Sequence, residues 1–91
     1  MLTPRERADL KGRAHALEPV VHVGHGGVTD AVVRDADRAL AAHELIKVKV
    51  GAADRDERAA AVADLCARTS AEHVQSVGRI AVLWRPRPDE A

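Results

Sequence analysis

The sequence predicts a single compact α/β domain in which three helices alternate with strands and a closing hairpin completes a mixed four-stranded sheet, in the order α-β-α-β-α-β-β. Three observations lead there. Apolar residues recur at helical spacing in three segments that each begin with a capping residue. Short β-branched runs separate those segments. The last two runs are joined by only Gly78-Arg79, a link so short that it forces an antiparallel hairpin. Ninety-one residues, 46% of them apolar, suffice for one domain with a modest core.

In chain order, Thr3 caps the first helix, Pro4 suits its first position and Glu6 completes a capping box. Leu10, Ala14 and Leu17 recur at helical spacing until Pro19 stops the helix. Val20 to Val23 is the first strand, and Gly24-His25-Gly26-Gly27 is a glycine-rich turn. Thr29 is the N-cap of the second helix, with Val28 and Val33 spaced as a hydrophobic staple across it. Val28, Val32, Ala36, Ala39, Leu40 and His43 trace its inner face. Leu45 to Val50 is the second strand, with Leu45, Lys47 and Lys49 facing one way and Ile46, Val48 and Val50 the other.

A third helix starts after Asp54, with Glu57 placed to cap and Val62, Leu65, Cys66 and Thr69 on its buried side. His73 to Val77 and Ile80 to Arg85 form the hairpin. The helix-bearing connections between the first three strands favour parallel pairs with right-handed crossovers. The domain is expected to span residues 1–88, with a frayed tail from Pro86 whose acidic end is residues 89–91.

Fourteen basic residues balance fourteen acidic ones, but the signs are segregated. The second helix and its flank carry Asp30, Asp35, Asp37 and Glu44 against Arg34 and Arg38, and the third is acidic in the same way. Lys47 and Lys49 on the second strand, and Arg79, Arg85 and Arg87 around the hairpin, have no acid among them. A local basic patch attracts polyanions whatever the total charge. No apolar run approaches the ~20 residues of a membrane span, and no leader precedes a cleavage site. The lone Cys66 excludes an internal disulfide or a multi-cysteine zinc site and fits a reducing compartment. The expectation is a cytoplasmic protein without a membrane partner. Trp84, the one aromatic residue, excludes a base-stacking platform of several rings and is read as packing.

The most informative segment is strand, Gly24-His25-Gly26-Gly27, then helix. Glycines let a backbone approach a partner without a Cβ in the way, and the following helix start offers free N–H groups and the positive end of its dipole. A G-x-x-G loop of this kind clamps nucleic-acid backbone in KH domains. Nucleotide-binding patterns do not fit: the third glycine of G-x-G-x-x-G would fall at Thr29, and no G-x-x-x-x-G-K-[ST] exists. Around the loop, Arg7, Lys11 and His15 form a stripe on the first helix, and two lysines on one face of the second strand imply an open, wet sheet surface.

His22 and His25 have H-x-x-H spacing without a nearby cysteine, so no metal is expected. Ser70, His73 and Ser76 lack a nucleophile elbow, and Asp35 and Asp37 point to different sides of a helix. No catalytic residue, cofactor or small-molecule substrate is expected.

Taken together, Leu10-Lys11-Gly12-Arg13-Ala14-His15, Pro19-Val20-Val21, the glycine loop, His43 to Val50, and Val74 to Arg79 through Arg85-Pro86 resemble the CRM domain (chloroplast RNA splicing and ribosome maturation), in particular its bacterial stand-alone YhbY-type version. The resemblance runs from about Leu2 to Arg87. It implies a fold similar to the C-terminal domain of translation initiation factor 3, and non-enzymatic binding of ribosomal RNA in precursors of the large ribosomal subunit. Carried over by position, it places RNA contacts at Gly24, His25, Gly26 and Gly27 with Lys11, Lys47, Lys49 and Arg79 around them; Arg7, His15 and Arg85 are further candidates. The sequence departs from the family in having His25 and Gly26 at the variable loop positions and Asp89-Glu90 at its end. The alternative is an adaptor that docks ribosomal or assembly proteins through the acidic second and third helices.

Overall fold

The computed structural model of the chain describes residues 2–51 and 54–87. Its elements are α1 (Pro4–Ala14), β1 (Pro19–Val23), α2 (Asp30–His43), β2 (Leu45–Val50), α3 (Arg55–Thr69), β3 (Glu72–Val77) and β4 (Ile80–Trp84), in the expected order. Each helix begins where a side chain can take its free N–H groups. Thr3 Oγ1 accepts from the Glu6 N–H at 3.1 Å while the Thr3 N–H donates to Glu6 Oε1 at 3.0 Å, closing the capping box. Those bonds to Thr3 hold the Glu6 carboxyl below the usual carboxylate range. Thr29 and Asp54 accept from the N–H groups of Val32 and Glu57 at 3.2 and 2.8 Å. α1 ends earlier than Pro19 alone requires: the His15 N–H reaches back to Gly12 O and the Leu17 N–H to Ala14 O, tight turns that lead the chain into β1.

The strands lie in the order β1-β2-β4-β3. β1 and β2 are parallel, and β4 is antiparallel to both β2 and β3. The expected parallel pairing thus holds for β1 with β2. It does not extend to β3, which runs in the same direction as β2 but is separated from it by β4. The reason is burial: Ala81, Val82 and Leu83 of β4 are sealed on both faces, so that strand belongs inside the sheet, whereas β3 is half polar and suits the outside. In the connecting turn, positive φ falls on Gly78 and not on Arg79, the type II′ pattern that matches strand twist.

Three layers result. α2 and α3 cover one sheet face, where Ala36, Leu40, Val62 and Leu65 meet Val21, Val23, Ile46, Val48, Val50 and Leu83. Val28 and Val33 pack against this core, as the staple requires, and so does half-buried Cys66, whose thiol is pushed up by burial. His43, expected on the inner face of α2, is exposed at its end. α1 covers only part of the other face, with Leu2, Leu10 and Ala14 over Leu45, Val74 and Val82 and with Trp84 alongside. β4 stops at Trp84, one residue short of expectation. The segment expected to fray from Pro86 is held as far as Arg87, which donates to Ala42 O at 2.8 Å and lies 3.4 Å from Glu44. The acidic end at 89–91 lies outside the described residues.

Candidate nucleic-acid interface

Because β1 and β2 are parallel, their C-terminal ends lie side by side, and antiparallel β4 begins at that same end. The Gly24–Gly27 loop leaves β1 there. The Gly51 N–H, just beyond β2, donates to Val23 O at 2.7 Å, and the Val50 N–H donates to Arg79 O in the hairpin turn at 2.8 Å. Loop and hairpin turn therefore flank one end of the sheet.

Within the loop, Gly24, His25 and Gly26 are exposed. The Gly27 N–H donates to Gly24 O at 3.0 Å, and Gly27 takes a φ of +76° that side chains rarely adopt. Gly24 and Gly26 have no such need. A Cβ at Gly24 would meet nothing within 4 Å, and one at Gly26 only the Thr29 methyl at 3.8 Å, an ordinary contact. The fold leaves these two backbones bare without requiring it.

The exit of the loop is fastened from α3. Arg68 Nη1 donates to Val28 O at 2.8 Å, Nη2 donates to Asp30 Oδ1 at 3.0 Å, and Asp64 lies 3.8 Å away. Sequence reasoning entered Arg68 only as one charge of an acidic helix, since a contact spanning 40 residues leaves no local signal. The start of α2, expected to receive phosphate with the loop, already carries Thr29 Oγ1 and the Asp30 carboxylate. Within the loop the Gly27 N–H is spent on Gly24 O, and the exposed residues Gly24, His25 and Gly26 present the more open main chain.

The lysines gather on the part of the sheet that α1 leaves uncovered. Register sets Lys49 beside His22 and Ile80, one step closer to the loop than Lys47, which lies beside Pro19 and Val82. Lys47 also lines a cleft of about 250 Å³ with Lys11 and His15 of α1 and with Gln75, Val77, Ile80 and Val82 of the hairpin. Arg79 stands at the same end of the sheet but lines a second depression, of about 170 Å³, on the α3 side with Arg55 and Arg58. Among the described residues no carboxylate lies within ion-pair distance of Lys11, Lys47, Lys49 or Arg79. By contrast, Arg13, Arg38, Arg68, Arg85 and Arg87 each have one.

Two candidates have internal tasks instead. Arg7 Nη1 donates to the carbonyls of His73 and Val74, both at 2.7 Å, where β3 slips register against β4. Arg85 Nη1 donates to Asp37 Oδ1 and Thr69 O at 2.7 Å, and its Nη2 to Asp37 O at 3.1 Å; its side chain is only 25% exposed. A phosphate could recruit either guanidinium only by breaking these bonds.

His22 and His25 are exposed, and among the described residues no group of three His, Cys, Asp or Glu is placed to hold a metal. His73 Nε2 lies 2.8 Å from Ser76 Oγ, and burial, with a smaller push from Arg7, holds the His73 imidazole below its usual value. Ser70, the third member of that sequence constellation, is the left-handed cap residue of α3. No helix of the described residues is long and apolar enough to cross a membrane.

The chain is similar to proteins of known sequence and structure. A CRS1 / YhbY (CRM) domain model matches residues 2–85. A protein of Pseudomonas aeruginosa named as a probable RNA-binding protein is 41% identical over 87 residues, covering 96% of this chain and 84% of that one. An RNA-binding protein of Haemophilus influenzae is 44% identical over 85 residues, covering 93% and 86%. The solution structure of a hypothetical protein from Staphylococcus aureus superposes with a TM-score of 0.86 at 30% identity, covering 100% of this chain and 95% of that one. Sharing its sequence pattern from the first helix to the last strand, the chain belongs to the CRS1 / YhbY (CRM) domain family.

Proposed function

We propose that this protein is a non-enzymatic, cytoplasmic RNA-binding module that acts on ribosomal RNA in precursors of the large ribosomal subunit. The bare backbone of Gly24 to Gly27 receives the sugar–phosphate chain, and Lys11, Lys47, Lys49 and Arg79 hold flanking phosphates. The observation that carries this reading is the pair of exposed glycines, 24 and 26, for which internal packing gives no reason. Missing side chains at a surface loop make sense when something outside must come close. The names of the relatives support RNA as the partner, and the family resemblance supports ribosomal RNA. Lys11, Lys47, Lys49 and Arg79, which have no carboxylate beside them among the described residues, supply the attraction. The adaptor reading loses support on α2, where Asp30, Asp35, Asp37 and Glu44 at its end are already paired with the chain's own arginines.

The test separates fold from binding. Gly24→Ala and Gly26→Ala fit the space available, so each should leave the unfolding free energy unchanged or raise it slightly, by up to about 1 kcal/mol. The double variant should bind ribosomal RNA at least roughly tenfold more weakly in a filter-binding titration. A folded double variant with wild-type affinity would remove the loop from the interface. Nuclease treatment of a lysate should release the protein from ribosomal particles; retention would favour a protein-held complex.

A further inference from the structure

Gripping a phosphate chain requires amides and cations, but the cleft beside α1 contains more than that. Its lining combines a partly open apolar floor at Ile80, backed by the buried Ala14 and Val82, with an exposed apolar wall, Val77, which is 66% accessible on a strand whose neighbours are polar. Gln75 and His15 add hydrogen-bonding groups, and Lys11 and Lys47 stand at its sides with no carboxylate near them among the described residues. At about 250 Å³ it falls just below the range of pockets that enclose drug-sized molecules, a size suited to one ring system and not to a peptide segment.

We infer that this cleft holds one unstacked nucleobase of a single-stranded RNA, an inference that rests on the RNA-binding reading above. An unstacked base presents two apolar faces and an edge of donors and acceptors. The aliphatic floor and Val77 cover a face, and the Gln75 amide, which both donates and accepts, meets the edge. Lys11 and Lys47 neutralise the phosphates on either side of the base. Stacking on Trp84, the one Phe, Tyr or Trp of the chain, is not offered by this cleft, since that ring packs against the core cluster under α1 and does not line it. The cleft also continues toward the loop: Ile80 in its floor is the register partner of Lys49. A strand seated in the cleft therefore passes next over Lys49 and reaches Gly24–Gly27. An apolar peptide or a lipid chain would leave both lysines without a counter-charge.

Methyl-labelled protein is titrated with short oligouridylate, with oligoadenylate, and with an abasic ribose-phosphate chain of equal charge. Both base-bearing strands should displace the methyl resonances of Val77, Ile80 and Val82 by ring currents and bind roughly five- to tenfold more tightly than the abasic chain. The abasic chain should still move the amides of Gly24 to Gly26. Gln75→Ala and Val77→Ser, both at solvent-accessible positions, should shrink the preference for base-bearing strands and leave abasic binding unchanged. Equal affinity for all three chains, or loop shifts without ring-current shifts in the cleft, overturns the base site and leaves backbone binding standing. No shift with any of them, and none with ribosomal RNA, overturns the RNA-binding reading as well.

Discussion

On the α2/α3 face of the sheet, strand residues from Val21 to Leu83 are sealed, and Arg38, Arg68 and Arg85 of that layer are engaged with carboxylates or carbonyls. On the α1 face the cover stops at Leu45, Val74 and Val82; the next residues along the same strands are Lys47, Lys49, Gln75 and Val77. One helix of 11 residues cannot shield what two longer helices shield. The difference teaches that binding chemistry here occupies the part of a sheet left after the core is complete, and that an arginine count says little until its partners are known.

The sharpest contrast is in stability. Leu83→Ala opens a cavity in the sealed face and should cost about 2–5 kcal/mol in urea unfolding; a loss below about 1 kcal/mol would break the picture of a close-packed layer. Arg85→Ala leaves the Thr69 carbonyl and the Asp37 carboxylate without their donor and should cost about 1.5–3 kcal/mol, with RNA affinity of the folded fraction unchanged.

On the open face the order reverses. Lys47→Gln with Lys49→Gln should leave stability within about 0.5 kcal/mol while reducing the salt dependence of RNA binding by about two ions; Arg34→Gln with Arg38→Gln on α2 should not alter the slope. An equal loss from both pairs would erase the distinction between the faces. The smallest effect is a pH dependence. Because burial lowers the His73 pKa below 6.5, the unfolded chain binds its proton first as pH falls. Stability should therefore decline slightly as pH drops below about 6.5, and His73→Gln should flatten that part of the curve.

Much of this was legible in the chain because its signals are local. Thr3, Thr29 and Asp54 mark the three helix starts, and the alternation in Leu45 to Val50 shows which way Lys47 and Lys49 face. The strand order was left open by the chain: helical connections favoured parallel neighbours, and the inner place of the apolar Ile80–Trp84 against the mixed Glu72–Val77 came with the structure. Arg7, Arg68 and Arg85 were opaque for a different reason. A guanidinium reads as an available cation until its partner, tens of residues away, is in place. The glycine loop was visible as a motif, yet the point that Gly24 and Gly26 serve no internal purpose needed the surrounding atoms.

The Arg7 contact has a consequence for solubility. β3 forms the rim of the sheet, and a rim strand offers unsatisfied main-chain groups as a template for strands from other molecules. At the register slip the Arg7 guanidinium takes up the carbonyls of His73 and Val74, so the helix that walls the cleft also leaves fewer main-chain acceptors on this rim strand for an incoming one.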